Sequence, residues 1–71
     1  MKLEYFADTD TLYIGLKDGA AHKVVDVGTD TLVDLDDNGI PMGITLEHAG
    51  ARFDVSALDA RALPEVRRRA L

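Results

Sequence analysis

The chain contains no cysteine and no tryptophan, and only one serine, two histidines and two prolines. Without cysteine there is no disulfide and no thiolate metal cluster. The one serine, Ser56, stands outside any G-x-S-x-G context, so it reads as a helix cap and not as a nucleophile. His22 and His48 lack the fixed short spacing that marks a metal site and read as solvated strand-end residues. The six glycines are isolated, which excludes a glycine-rich phosphate loop. No stretch approaches the roughly 18 apolar residues of a membrane span, and Met1-Lys2-Leu3-Glu4-Tyr5 lacks the apolar core of a signal peptide. These absences predict a soluble, cytoplasmic protein that is not an enzyme, needs no cofactor and has no membrane partner.

What is present is a short acidic chain. At 71 residues and 7.7 kDa it is read as one domain, near the size at which a single core supplies only about 3 to 5 kcal/mol. With no disulfide available, oligomerisation is the expected support, and a homodimer is predicted. The net charge of -5 is divided unevenly: residues 1–51 carry -7 and residues 52–71 carry +2. An acidic body repels nucleic acid and attracts basic proteins. Arg67-Arg68-Arg69 is the one basic run, and on a helix its side chains fan out by about 100° each, so they form no strip along a phosphate backbone.

Apolar alternation fixes the expected elements. Leu3 and Tyr5, then Leu12, Ile14 and Leu16, form a hairpin around Ala7-Asp8-Thr9-Asp10. His22 to Val27 is valine-rich, Thr31 to Asp36 follows the turn at Gly28-Thr29-Asp30, and Ile40, Met42, Ile44 and Leu46 alternate strictly. Asp-Thr-Leu opens both the second and the fourth strands. Pro41 lacks a backbone donor and belongs at a strand start or an edge. After Ala49-Gly50 the period becomes helical through Val55, Leu58, Ala62 and Leu63, with Asp54 or Ser56 as cap, and Pro64 can open a second short helix to Leu71. The predicted fold is α+β: an antiparallel four- to five-stranded β-meander over residues 1–49, with short C-terminal helices in residues 50–71 packed on one face through Leu58, Leu63 and Val66. The opposite face carries Phe6, Tyr13, Val24 and Leu32, too apolar for a free surface, and these four are the candidate interface.

The segment Val33 to Ile44 has two readings. Asp34, Asp36, Asn38 and Gly39 match positions one, three, five and six of a calcium loop, but the twelfth, where a bidentate carboxylate closes the site, is Thr45. Asp36-Asp37-Asn38-Gly39 is equally a well-formed hairpin turn. The turn reading is preferred.

Lys2-Leu3-Glu4-Tyr5, Asp10-Thr11-Leu12-Tyr13-Ile14-Gly15-Leu16, Val33-Asp34-Leu35-Asp36-Asp37-Asn38-Gly39 and Gly43-Ile44-Thr45-Leu46-Glu47-His48-Ala49 together resemble the small bacterial family called domain of unknown function 2283, or YuzE-like. The resemblance covers about residues 1–50. Thr45 departs from the acidic residue often found there, and the arginine-rich tail lies outside the match. The resemblance transfers no catalytic residues. It implies a compact bacterial domain, some of whose relatives are encoded beside small toxin-like proteins. The expected function is therefore non-catalytic protein binding, as an antitoxin-like partner of a small basic protein. The alternative is a small metal- or ligand-binding domain using the acidic turns with His22 or His48.

Overall fold

The structure, a computed structural model, describes residues 1–64. Five strands, β1 (Lys2–Phe6), β2 (Thr11–Gly15), β3 (Lys23–Gly28), β4 (Thr31–Leu35) and β5 (Pro41–Leu46), precede one short helix, α1 (Ala49–Arg52). They form a single antiparallel sheet in the order β1-β2-β5-β4-β3.

The strands agree with the alternation, but their order is not a simple meander. β1 and β2 form one hairpin, β3, β4 and β5 a three-stranded meander, and β5 inserts between β4 and β2. Its Met42, Ile44 and Leu46 gain neighbours on both sides, which an edge position would not give. The cost is a longer connection. Residues 16–22 pass the ends of β5 and β4, with the Leu16 N–H donating to the Met42 carbonyl at 2.7 Å and the His22 N–H donating to the Leu35 carbonyl at 2.8 Å. Pro41 is the first residue of β5, where its missing donor breaks no interior ladder, and the register shifts there between Asp34 and Leu35.

Directly opposed residues share a face. One row across all five strands reads Leu3, Ile14, Ile44, Val33, Val25, and the next reads Tyr5, Leu12, Leu46, Thr31. This is the apolar face. On the other, one row reads Glu4, Tyr13, Thr45, Leu32, Asp26 and another Lys2, Gly15, Gly43, Asp34, Val24. This mixed face is organised by Tyr13, whose ring lies across Gly43: a Cβ there would stand 2.8 Å from the ring's Cζ and closer still to the hydroxyl. An aromatic laid over strand glycines restores the packing they lack.

The C-terminal segment departs from expectation. Only α1 is helical among the described residues. Where the period predicted a helix over Val55 to Leu63, Ser56 Oγ donates to Asp54 Oδ1 at 2.8 Å, Arg61 reaches back to Asp59, and Ala62 has φ 56°. Leu58 is 75% exposed and Leu63 52%, so neither packs on the sheet. An isolated stretch of this length is marginal as a helix unless a surface receives its apolar side. The predicted second helix, with Val66 and Arg67 to Arg69, lies outside the described residues apart from Pro64, which is not helical. As a result, the described residues include only two buried apolar side chains, Met42 at 4% and Ala49 at 0% exposure.

Candidate functional site

Polar side chains converge where β5 runs into α1. The two turns feeding β2 and β4 have the same sequence, Thr9-Asp10-Thr11-Leu12 and Thr29-Asp30-Thr31-Leu32. Because β2 and β4 flank β5, both arrive beside its end. In each turn the aspartate adopts the left-handed conformation, φ 52° at Asp10 and 51° at Asp30, which Asp tolerates better than most residues. Each threonine hydroxyl donates back to the carbonyl two residues earlier, Thr11 to Thr9 and Thr31 to Thr29. Both aspartate carbonyls accept from the strand–helix junction: Asp30 from the Glu47 N–H and Asp10 from the Ala49 N–H, each at 2.9 Å.

The carboxylates then diverge. Asp10 Oδ1 accepts the Tyr5 hydroxyl at 2.5 Å and the Gly50 N–H at 2.9 Å, supplying from the β1–β2 turn the helix cap that His48, also left-handed at φ 53°, does not provide. The Tyr5 hydroxyl, then the Gly50 N–H, hold the Asp10 carboxyl below its ordinary range, and the same bond raises the Tyr5 phenol. Asp30 Oδ2 lies 2.9 Å from His48 Nδ1. Arg52 donates to the Asp30 carbonyl at 2.8 Å, the Glu47 carbonyl at 2.7 Å and Thr31 Oγ1 at 2.9 Å.

Asp30, Glu47 and His48 each offer one ligand atom, all within 4.8 Å of one another, a set that the spacing of the histidines in the sequence did not reveal. Two of its donors already meet each other, the His48 imidazole and the Asp30 carboxylate, and the Arg52 guanidinium, on the Asp30 and Glu47 backbone carbonyls, brings a fixed positive charge to the same turn. A cation would have to displace the first and tolerate the second. His22 sits at the other end of the sheet, 3.3 Å from Asp37, so the two imidazoles form no joint site.

The segment that could have opened a calcium loop leaves β4 at Leu35 and turns over Asp36 to Gly39, with the Gly39 N–H donating to the Asp36 carbonyl at 3.0 Å. Asp36 Oδ1 accepts the Asn38 and Ile40 N–H groups at 2.8 and 2.9 Å, its Oδ2 meets the Lys17 ammonium, and Gly39 has φ 77°. The lysine first, then the Ile40 N–H, depress the Asp36 carboxyl to about 2. Asp34 lies on β4 opposite Gly43 and Val24, away from that carboxylate pattern.

The register puts all four candidate interface residues on the mixed face. Tyr13 and Leu32 flank Thr45 from opposite sides, whereas Phe6 and Val24 stand on the two outermost strands and are exposed. What alternation alone did not show is how acids interleave with them: Glu4 opposes Tyr13, Asp26 opposes Leu32, and Asp34 opposes Val24.

The architecture defines a small single-sheet domain whose ordered polar contacts brace a strand–helix junction. A family model described as protein of unknown function (DUF2283) matches residues 2–49, and the chain belongs to that family. The matched region ends at Ala49, so it contains the whole sheet and both Thr-Asp-Thr-Leu turns but not the tail. No curated protein and no solved structure matches the chain. Among the described residues no helix is long and apolar enough to cross a membrane.

Proposed function

We propose that this chain is a non-catalytic protein-binding domain that takes a small basic protein as its partner, in the manner of an antitoxin. The observation that carries the reading is the mixed face, where Phe6, Tyr13, Val24 and Leu32 alternate with Glu4, Asp26 and Asp34. Apolar groups spaced among acids suit a basic partner better than a second acidic copy. The carboxylates steer the encounter and the apolar groups hold the complex once water is excluded. The charge of -7 over residues 1–51 extends that attraction beyond the contact itself.

The test is affinity capture of the tagged protein from its native cells, followed by binding kinetics with the purified basic partner. Rising salt should slow association more than it speeds dissociation. Asp26→Lys with Asp34→Lys should lower the association rate at least tenfold while the fold is retained. A captured partner that is acidic, or one whose binding ignores both salt and the charge reversal, overturns the reading.

The second reading, metal binding at Asp30, Glu47 and His48, rests on the proximity of their ligand atoms. Zinc titration of wild type against His48→Ala separates the two.

A further inference from the structure

We infer that Asn38 and Gly39, at the tip of the turn between β4 and β5, form a self-modification site. Asn38 converts to aspartate and isoaspartate without an enzyme, and Asp36 sets the rate by holding the turn closed. The inference goes beyond the basic partner and does not depend on it.

Asn38 is the only side-chain amide in the chain, which has no other asparagine and no glutamine. It is exposed, and the glycine after it has no side chain to shield the peptide nitrogen: a Cβ built there would meet nothing within 4 Å. Once hydroxide removes its proton, the Gly39 nitrogen can attack Asn38 Cγ. The new N–Cγ bond closes a succinimide ring, and the side-chain nitrogen takes a proton from water and leaves as ammonia. Water then opens the ring. Cleavage of the N–Cγ bond gives aspartate, whereas cleavage of the bond to the backbone carbonyl carbon gives isoaspartate, whose main chain runs through Cβ and Cγ.

The fold stands in the way of the first step. Ring closure requires the peptide planes around Asn38 to rotate, and Asp36 fixes them. Its Oδ1 accepts the Asn38 N–H at 2.8 Å and the Ile40 N–H at 2.9 Å, while its carbonyl accepts the Gly39 N–H at 3.0 Å. Three consecutive amides thus converge on one residue, whose own N–H donates to the Ile40 carbonyl at 2.9 Å. The side chain that does this is only 14% exposed, and Lys17 pins its second oxygen from the connection between β2 and β3. The attacking nitrogen must give up the very proton that it donates to Asp36. Reaction therefore waits on local opening of the turn. Its outcome is lasting: isoaspartate adds a main-chain carbon beside Gly39, and either product adds a carboxylate next to Asp36 and Asp37 at the entry to β5, the central strand. The isoaspartate form should unfold at lower urea than the unconverted chain.

The single side-chain amide makes the test direct, because replacing ammonia by water adds about 1 Da to the intact chain and only Asn38 can supply the change. Full-length protein is held in warm, mildly alkaline buffer, native or unfolded in urea, and its mass is followed with time, isoaspartate at position 38 being identified in the digest. Both samples should convert, the native one about tenfold more slowly or slower still. Asp36→Ala, which removes the acceptor of the Asn38 and Ile40 N–H groups, should raise the native rate about fivefold or more, and hydrogen exchange at amides 38 to 40 should quicken with it. Lys17→Met leaves the turn's own bonds in place and should raise the rate less, and it replaces Asp36→Ala if circular dichroism shows that variant without its sheet. Asn38→Gln should gain no mass over the same time, since its longer side chain closes a larger ring. Native conversion as fast as in urea overturns the inference, because the turn would then set no rate. Absence of conversion in both samples, or a native rate that neither substitution changes, overturns it as well.

Discussion

The two Thr-Asp-Thr-Leu turns share four residues, a left-handed aspartate, a threonine-to-carbonyl bond and a carbonyl that receives the strand–helix junction. They nevertheless do different work. Asp10 spends its carboxylate on a helix N–H and the Tyr5 hydroxyl, whereas Asp30 turns its carboxylate to the exposed His48 and contributes mainly its backbone carbonyl to Arg52. Identical local sequence produces identical local geometry. The side chain's role depends on which neighbour the fold brings up, β1 and α1 in one case, the other end of the same junction in the second.

The largest effect should separate the two turns outright. Asp10→Ala removes a helix cap and strands the Tyr5 hydroxyl, at a position whose positive φ disfavours alanine, and should lower the urea midpoint more than any other single substitution at the junction. Its pH dependence has a definite sign. The folded carboxyl lies below its ordinary value of 3.8, so its stabilisation is complete above that value and is lost as pH falls through the folded one. Asp10→Asn should therefore flatten the fall in melting temperature between pH 5 and pH 2. An unchanged slope would place the acid sensitivity elsewhere, first at Asp36, whose carboxyl is depressed to about 2 and obeys the same sign.

Arg52→Ala should cost about 1 kcal/mol, because three bonds are lost but the groups left behind are near water. Asp30→Ala should cost less than Asp10→Ala, as its contact with the His48 imidazole is exposed and exposed contacts of this kind contribute about 0 to 1 kcal/mol. Equal losses at Asp10 and Asp30 would erase the distinction between the turns. The smallest expected effect is that of zinc. A tenfold excess should leave the melting temperature of wild type and His48→Ala alike, and a rise in wild type alone would make the second turn a metal site.

Much of this was legible in the chain. Strict alternation in β5, the turn chemistry of Asp36 to Gly39 and the placement of Pro41 at a strand start follow from period two, positive φ and a missing donor, all local properties. Phe6, Tyr13, Val24 and Leu32 fall on one face because side chains alternate whatever the strand order. The helical period after Gly50 was misleading, since Val55, Leu58 and Ala62 repeat at the right spacing but are exposed and meet no surface among the described residues.

The sequence by itself determined the strands, their faces and the geometry of each turn, because those depend on residues a few positions apart. Only the tertiary structure decided that β5 lies at the centre, that Tyr13 rests on Gly43, and that Asp10 caps a helix forty residues away in the chain. Those choices depend on which strands pair. Pairing is settled by the burial available to the whole sheet, a quantity that no short stretch of sequence carries.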